Sequence, residues 1–231
     1  MEINWKEQDS WGIKEFILLM LIEFVLVIGC IKFVVHPIYS RWFDNDLYAG
    51  TLMGLTIAII LISGVYLIAL RPKKLSWSEV GIKKFTVKDW KIIVIFSIIL
   101  MVGAVIIMLL TIFIGNSWEN SKTEAIQQNV TFLTVLIAFI SAAIISPIYE
   151  EIFYRGFIYR WLRTRIGFIG AILLSAIIFT IIHIPTYNAM PVNFFSGIIL
   201  ALAYERTNSI WPSVMIHGLT NGIMVLLTTL G

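Results

Sequence analysis

The chain has 231 residues, 59% of them from the set Ala, Val, Ile, Leu, Met, Phe, Trp, Tyr and Cys; only 13% are charged, and the formal net charge is +3. Mean hydropathy is +0.91. Soluble domains carry about 45–50% apolar and about 25% charged residues, so disorder, collagen-like structure, coiled coil and an ordinary water-soluble enzyme are excluded, and the composition is that of a membrane protein.

Each crossing of the hydrocarbon core takes about 20 apolar residues, so six or seven crossings would use about 120–140 residues. That leaves short loops and no room for a soluble domain of normal size, which predicts one integral-membrane domain. The first fifteen residues, Met1 to Glu15, hold four acids and two lysines, unlike the basic start of a signal peptide. No small-residue cleavage site follows, so the first apolar run reads as a retained anchor. The single cysteine, Cys30, excludes an intramolecular disulfide and says nothing of redox compartment.

In chain order the apolar runs are Phe16–Val35 (broken by Glu23 and Lys32), Ala49–Leu70, Ile92–Gly115, Val130–Tyr149, Ile166–Ile184, Ala189–Tyr204 and Ile210–Gly231. They predict an all-α, polytopic bundle of about seven spans, the sixth being the shortest. Seven of the 17 basic residues lie between Arg71 and Lys91, and Arg155, Arg160, Arg163 and Arg165 cluster between spans four and five. The positive-inside rule puts both clusters in the cytoplasm, and the N-terminus with them. The protein is then a multi-pass component of the cell membrane. Trp77, Trp90, Trp118 and Trp211 fall at or near run ends, as interfacial anchors do. The first basic cluster reads as a topology signal and a contact for anionic headgroups. No internal repeat supports a repeat-built transporter.

A charge near the bilayer centre costs about 2.5–3.5 kcal/mol on insertion scales, so the polar breaks in the runs are the informative places. Glu150 and Glu151 are adjacent on a helix and point about 100° apart, able to serve different partners. Glu151 and Arg155 are four residues apart, in the favoured order for a helical ion pair. Glu150 is left outside that pair, in apolar surroundings that suit a general base; an interfacial salt-bridge cluster is the plain alternative. His183 follows Phe179 by one turn and precedes Pro185. His217 and Asn221 share a helix face, with Gly218 and Gly222 leaving room for close packing. Each of these could be purely structural. Jointly they are more specific, because the midpoint of positions 150 and 183 falls at Ile166-Gly167, where a hairpin would reverse. Glu150 and His183 each lie about 24 Å from that turn at 1.5 Å per residue, so they stand level on antiparallel helices. From Val130 to Arg165 one straight helix would span about 52 Å, more than a bilayer. Pro147 is the predicted kink, with Ser146 able to help satisfy the freed carbonyl.

Glu150-Glu151-x-x-x-Arg155, Phe179-x-x-x-His183 and His217-x-x-x-Asn221 resemble the three motifs of the CAAX-protease and bacteriocin-processing family, the CPBP or Abi group of intramembrane proteases. The resemblance covers about residue 130 to the C-terminus and makes 130–231 the catalytic helical core. Residues 1–129, the first helices and the basic loop, carry no such motif. It implies an endopeptidase acting on membrane-associated proteins or peptides in the bilayer, with no nucleic-acid partner. It further implies that Glu150 activates water with help from His183, and that His217 and Asn221 stabilise the oxyanion. Glu151 and Arg155 would support the site, with Phe179 packed beside His183. Such chemistry needs a base and oxyanion donors in a sheltered place. The expected mechanism uses no cofactor. A zinc-dependent version would take Glu150, His183 and His217 as ligands and leave one position for water, although the H-E-x-x-H pattern is absent. A non-proteolytic immunity or scaffold protein, and a small proton-relay transporter, are the remaining readings.

Overall fold

The computed structural model describes residues 10–43, 45–115 and 117–230; most of the acidic start of the chain (residues 1–9) lies outside them. Eight helices make up the described chain: α1 (Ile13–Trp42), α2 (Asp46–Lys73), α3 (Asp89–Phe113), the short α4 (Ser121–Gln127), α5 (132–166), α6 (168–181), α7 (Met190–Thr207) and α8 (Ile210–Thr228). All are all-α elements, and no strand occurs among the described residues. Five continuous helical stretches are long and apolar enough to cross a membrane. One of these, Phe132–Ile181, reverses at Gly167, whose φ of +76° and ψ of −174° are not helical. A φ of that sign favours glycine, so the residue at the predicted midpoint is the one able to make the turn. Antiparallel contact follows: Tyr154 and Phe179 pack edge to face at 5.3 Å, one on each arm. With Phe132–Ile181 counted as two arms and α7 as the short member, the seven longer helices are roughly consistent with the expected number of spans.

Polar contacts gather at the two ends. At one end, the short turn Trp77–Val80 of the basic loop docks against α5 and α8. A Cβ on Gly156 would lie 2.4 Å from the Val80 carbonyl oxygen, so only glycine allows this approach. Ile210 N–H donates to Gly81 O (2.9 Å), the Ser209 hydroxyl to Lys83 O (2.7 Å), and Arg160 pairs with Glu79. Arg163 forms a two-nitrogen pair with Glu205. Both basic clusters therefore share one end, as their common assignment to one side required. Arg155 is the exception: grouped by sequence with the loop arginines, it is 1% exposed inside the bundle, because Glu151 gives it a partner there. At the opposite end, Gln128 donates to Asp46, Gln127 to Thr228 O, and Asn188 to Ser117 O and Glu119 O.

Near Pro147, the predicted kink, the helical winding changes. Ile140–Ile145 and Glu151–Tyr159 are wound as π-helix on either side of an α-helical Ser146–Glu150, an irregularity often found at functional sites. Pro147 has no N–H for the carbonyls of the preceding turn. Ser146 does not supply the replacement: its hydroxyl is 3.5 Å from the Tyr149 hydroxyl. Asn221 does, donating from Nδ2 to Ala142 O at 3.1 Å across the α5–α8 contact. The contact is close enough for this because Gly218 faces α5; a Cβ there would sit 2.3 Å from Ala143 O.

Candidate active site

The site forms where α5, α6 and α8 meet. From Tyr149 to Leu162 every residue of α5 is buried, so the acids and arginine of that segment are wrapped by protein. Glu151 is 0% and Arg155 1% exposed. Arg155 Nη1 donates to Glu151 Oε1 at 2.9 Å, one turn apart, and Nη2 reaches Gly197 O at 3.4 Å. The same guanidinium lies over the Phe179 ring, 4.4 Å from its centroid, where the negative face of the ring favours a cation.

His217, on α8, is held between two carboxylates. Its Nδ1 is 2.9 Å from Glu151 Oε1; the carboxylate can only accept, so Nδ1 carries the proton and donates. Its Nε2 then faces Glu150 Oε2 at 3.9 Å, beyond direct hydrogen-bond length. Glu150 is 8% exposed, and its Oε2 is buried with no hydrogen-bond partner. The two adjacent glutamates thus divide their work as their angular separation predicted. Glu151 is tied into a structural triad with Arg155 and His217, and Glu150 is left with an uncommitted oxygen.

His183 stands beyond the end of α6. Its Nδ1 is 2.7 Å from Phe179 O; the carbonyl accepts, which leaves Nε2 with its lone pair. Phe179 acts as the common spacer, its centroid 4.9 Å from the ring of His183 and 5.9 Å from that of His217. Glu150, Glu151, Arg155, Phe179, His183 and His217 therefore come together. Asn221 is one turn farther along α8, with its amide committed to Ala142 O. Among the described residues no group of three His, Cys, Asp or Glu side chains placed to hold a metal ion is found.

Sequence spacing could not reveal the Glu151–His217 bond, which joins residues 66 apart. Two side chains of α1 were also passed over as site members. Glu23 is 1% exposed, and Lys32 reaches the backbone around His183. The signal was their presence as charges in an apolar run.

Residues 132–223 match the family described as Type II CAAX prenyl endopeptidase Rce1-like. The matched segment spans all the residues of this cluster on α5, α6 and α8. Over that segment the chain is similar to the Rce1-like CAAX-protease family. It is 28% identical over 180 residues to the membrane-embedded CAAX protease MroQ of Staphylococcus aureus (strain USA300), covering 74% of this chain and 71% of that protein. YdiL of Bacillus subtilis (strain 168), which bears a provisional membrane-peptidase name, is 31% identical over 49% of this chain and 45% of its own length. The UPF0177 protein YbdI of Lactococcus lactis is 31% identical over 47% of this chain and 57% of its own. No solved structure matches. This likeness supports a peptidase function in a multi-pass membrane protein.

Proposed function

We propose that the protein is an intramembrane endopeptidase that hydrolyses peptide bonds of membrane-associated proteins or peptides with a glutamate-activated water. The observation carrying this reading is the uncommitted Glu150 oxygen facing His217 Nε2 at 3.9 Å, a gap that one bridging water fits. Glu150 takes a proton from that water as its oxygen attacks the carbonyl carbon, with His183 Nε2 available to hold the same water. Negative charge moves to the carbonyl oxygen, which His217 stabilises when its Nε2 carries a proton as well, the Nδ1–H staying on Glu151 and fixing the ring's direction. Collapse of the intermediate breaks the C–N bond, and the proton held by Glu150 passes to the leaving amine. Asn221 supports this from behind, by satisfying the carbonyl freed at Pro147.

No metal takes part in these steps. Zinc on Glu150, His183 and His217 is the alternative, and chelation separates the two. Purified protein in nanodiscs is given a quenched fluorescent prenylated peptide ending in a CAAX sequence, and membrane peptides from cells carrying wild type or Glu150→Gln are compared by mass spectrometry. Loss of the base is expected to lower cleavage by about 10²–10⁴-fold with the fold retained, and phenanthroline is expected to leave the rate unchanged. Full activity in Glu150→Gln would refute the assigned base. Activity lost on chelation and restored by zinc would refute the metal-free mechanism.

A further inference from the structure

Helix α1 carries Glu23 and Lys32 inside an otherwise apolar run, each a substantial cost to insertion unless it finds a partner. Lys32 finds its partners 150 residues away. Its ammonium donates to Ile182 O and lies 3.5 Å from Ile184 O, the carbonyls on either side of His183. These belong to the turn that closes α6, where carbonyls have no intrahelical donors and a cation is favourable. The His183 ring is already fixed through Nδ1 to Phe179 O. The Lys32 contacts hold the backbone that carries it.

We propose that Lys32, from the first membrane span and outside the family-matched segment, is a positioning residue that pins the backbone on both sides of His183 and so sets the imidazole over the site. Its effect on cleavage rests on the protease reading above; its effect on the turn does not. A rigid turn keeps His183 Nε2 aimed in one direction, and such supporting contacts decide whether a site is held to the tolerance that chemistry needs.

The test uses full-length protein in nanodiscs with Lys32→Met, which keeps the apolar stem and removes the donor, and Lys32→Arg, which keeps a cation able to reach two carbonyls. Hydrogen exchange by mass spectrometry reads the turn, whose backbone bonds include His183 N–H to Thr180 O and Thr186 N–H to His183 O. Exchange across residues 182–187 is expected to rise about tenfold in Lys32→Met, at a rate set by local opening, and to return close to wild type in Lys32→Arg. With the prenylated peptide, kcat is expected to fall at least about tenfold with KM within about twofold, a loss confined to the transition state, and Lys32→Arg is expected to recover most of it. Lys14→Met, at an exposed position near the start of α1, is the neutral control. Unchanged exchange in Lys32→Met overturns the proposal, whatever the cleavage rate. A rise in KM with kcat kept also overturns it, since Lys32 would then contact substrate. If wild type cleaves nothing, the protease reading fails while exchange still decides the role of Lys32. Should Lys32→Met fail to give a monodisperse protein, Lys32→Gln is compared with wild type under the same criteria.

Discussion

Helix α3 and the 149–162 segment of α5 solve opposite problems. In α3 only Ile93, Ser97, Leu100 and Ala104 are buried, a thin stripe at helical spacing flanked by the half-buried Ile92 and Phe96, and much of the remaining apolar surface is exposed. In α5 every residue from Tyr149 to Leu162 is enclosed, including Glu150, Glu151, Arg155 and Arg160. Lipid accepts an apolar helix on any face. It does not accept ionised groups, so the segment that carries them is wrapped on all sides by α6, α7, α8 and the docked basic loop. The bundle around α5 therefore shields these charges from its surroundings. Of the helices ahead of it, α1 and α2 add Leu19, Val27, Ile31, Leu61 and Val65 to the core packed around α5, and α1 also brings Glu23 and Lys32 to the site.

After the loss of Glu150 itself, the sharpest way to break this contrast is Arg155→Met. It leaves Glu151 buried with His217 as its remaining partner, and breaking a buried pair in this way costs about 3–5 kcal/mol. Thermal unfolding in detergent should move down accordingly, and cleavage should fall as His217 loses its fixed orientation. Gly218→Val comes next. The added carbons meet Ala143 O, where even a Cβ would stand at 2.3 Å, and overpacking of this kind costs about 1–3 kcal/mol; the same melting assay reads it. Asn221→Ala removes one interhelical hydrogen bond, worth about 0.6 kcal/mol on average in membrane bundles. Its cleavage rate is expected to fall much less than that of His217→Ala, and an equal fall would show that its amide acts on the oxyanion directly. Leu109→Ala, on the outward face of α3 at 57% exposure, should change stability by less than about 0.5 kcal/mol. A large effect there would mean that α3 is covered by something other than lipid.

Local chemistry written into the chain determined a good deal of this. Uninterrupted apolar runs set the expected number of spans, because a bilayer demands a minimum length. The interval between Glu150 and His183 placed the hairpin at Gly167, because helical rise per residue is constant and a positive φ favours glycine. The four-residue interval between Glu151 and Arg155 foretold their ion pair, for the same reason of periodicity. Tertiary structure alone decided how the long fourth span is wound near Pro147, since π-winding, and the Asn221 amide that replaces the missing proline N–H, depend on how closely α8 approaches α5. It alone decided that Glu151 grips His217 and that Lys32 reaches the turn of His183. Those bonds join residues 66 and 150 apart. Periodicity along one helix carries no information about which distant helix will be packed against it.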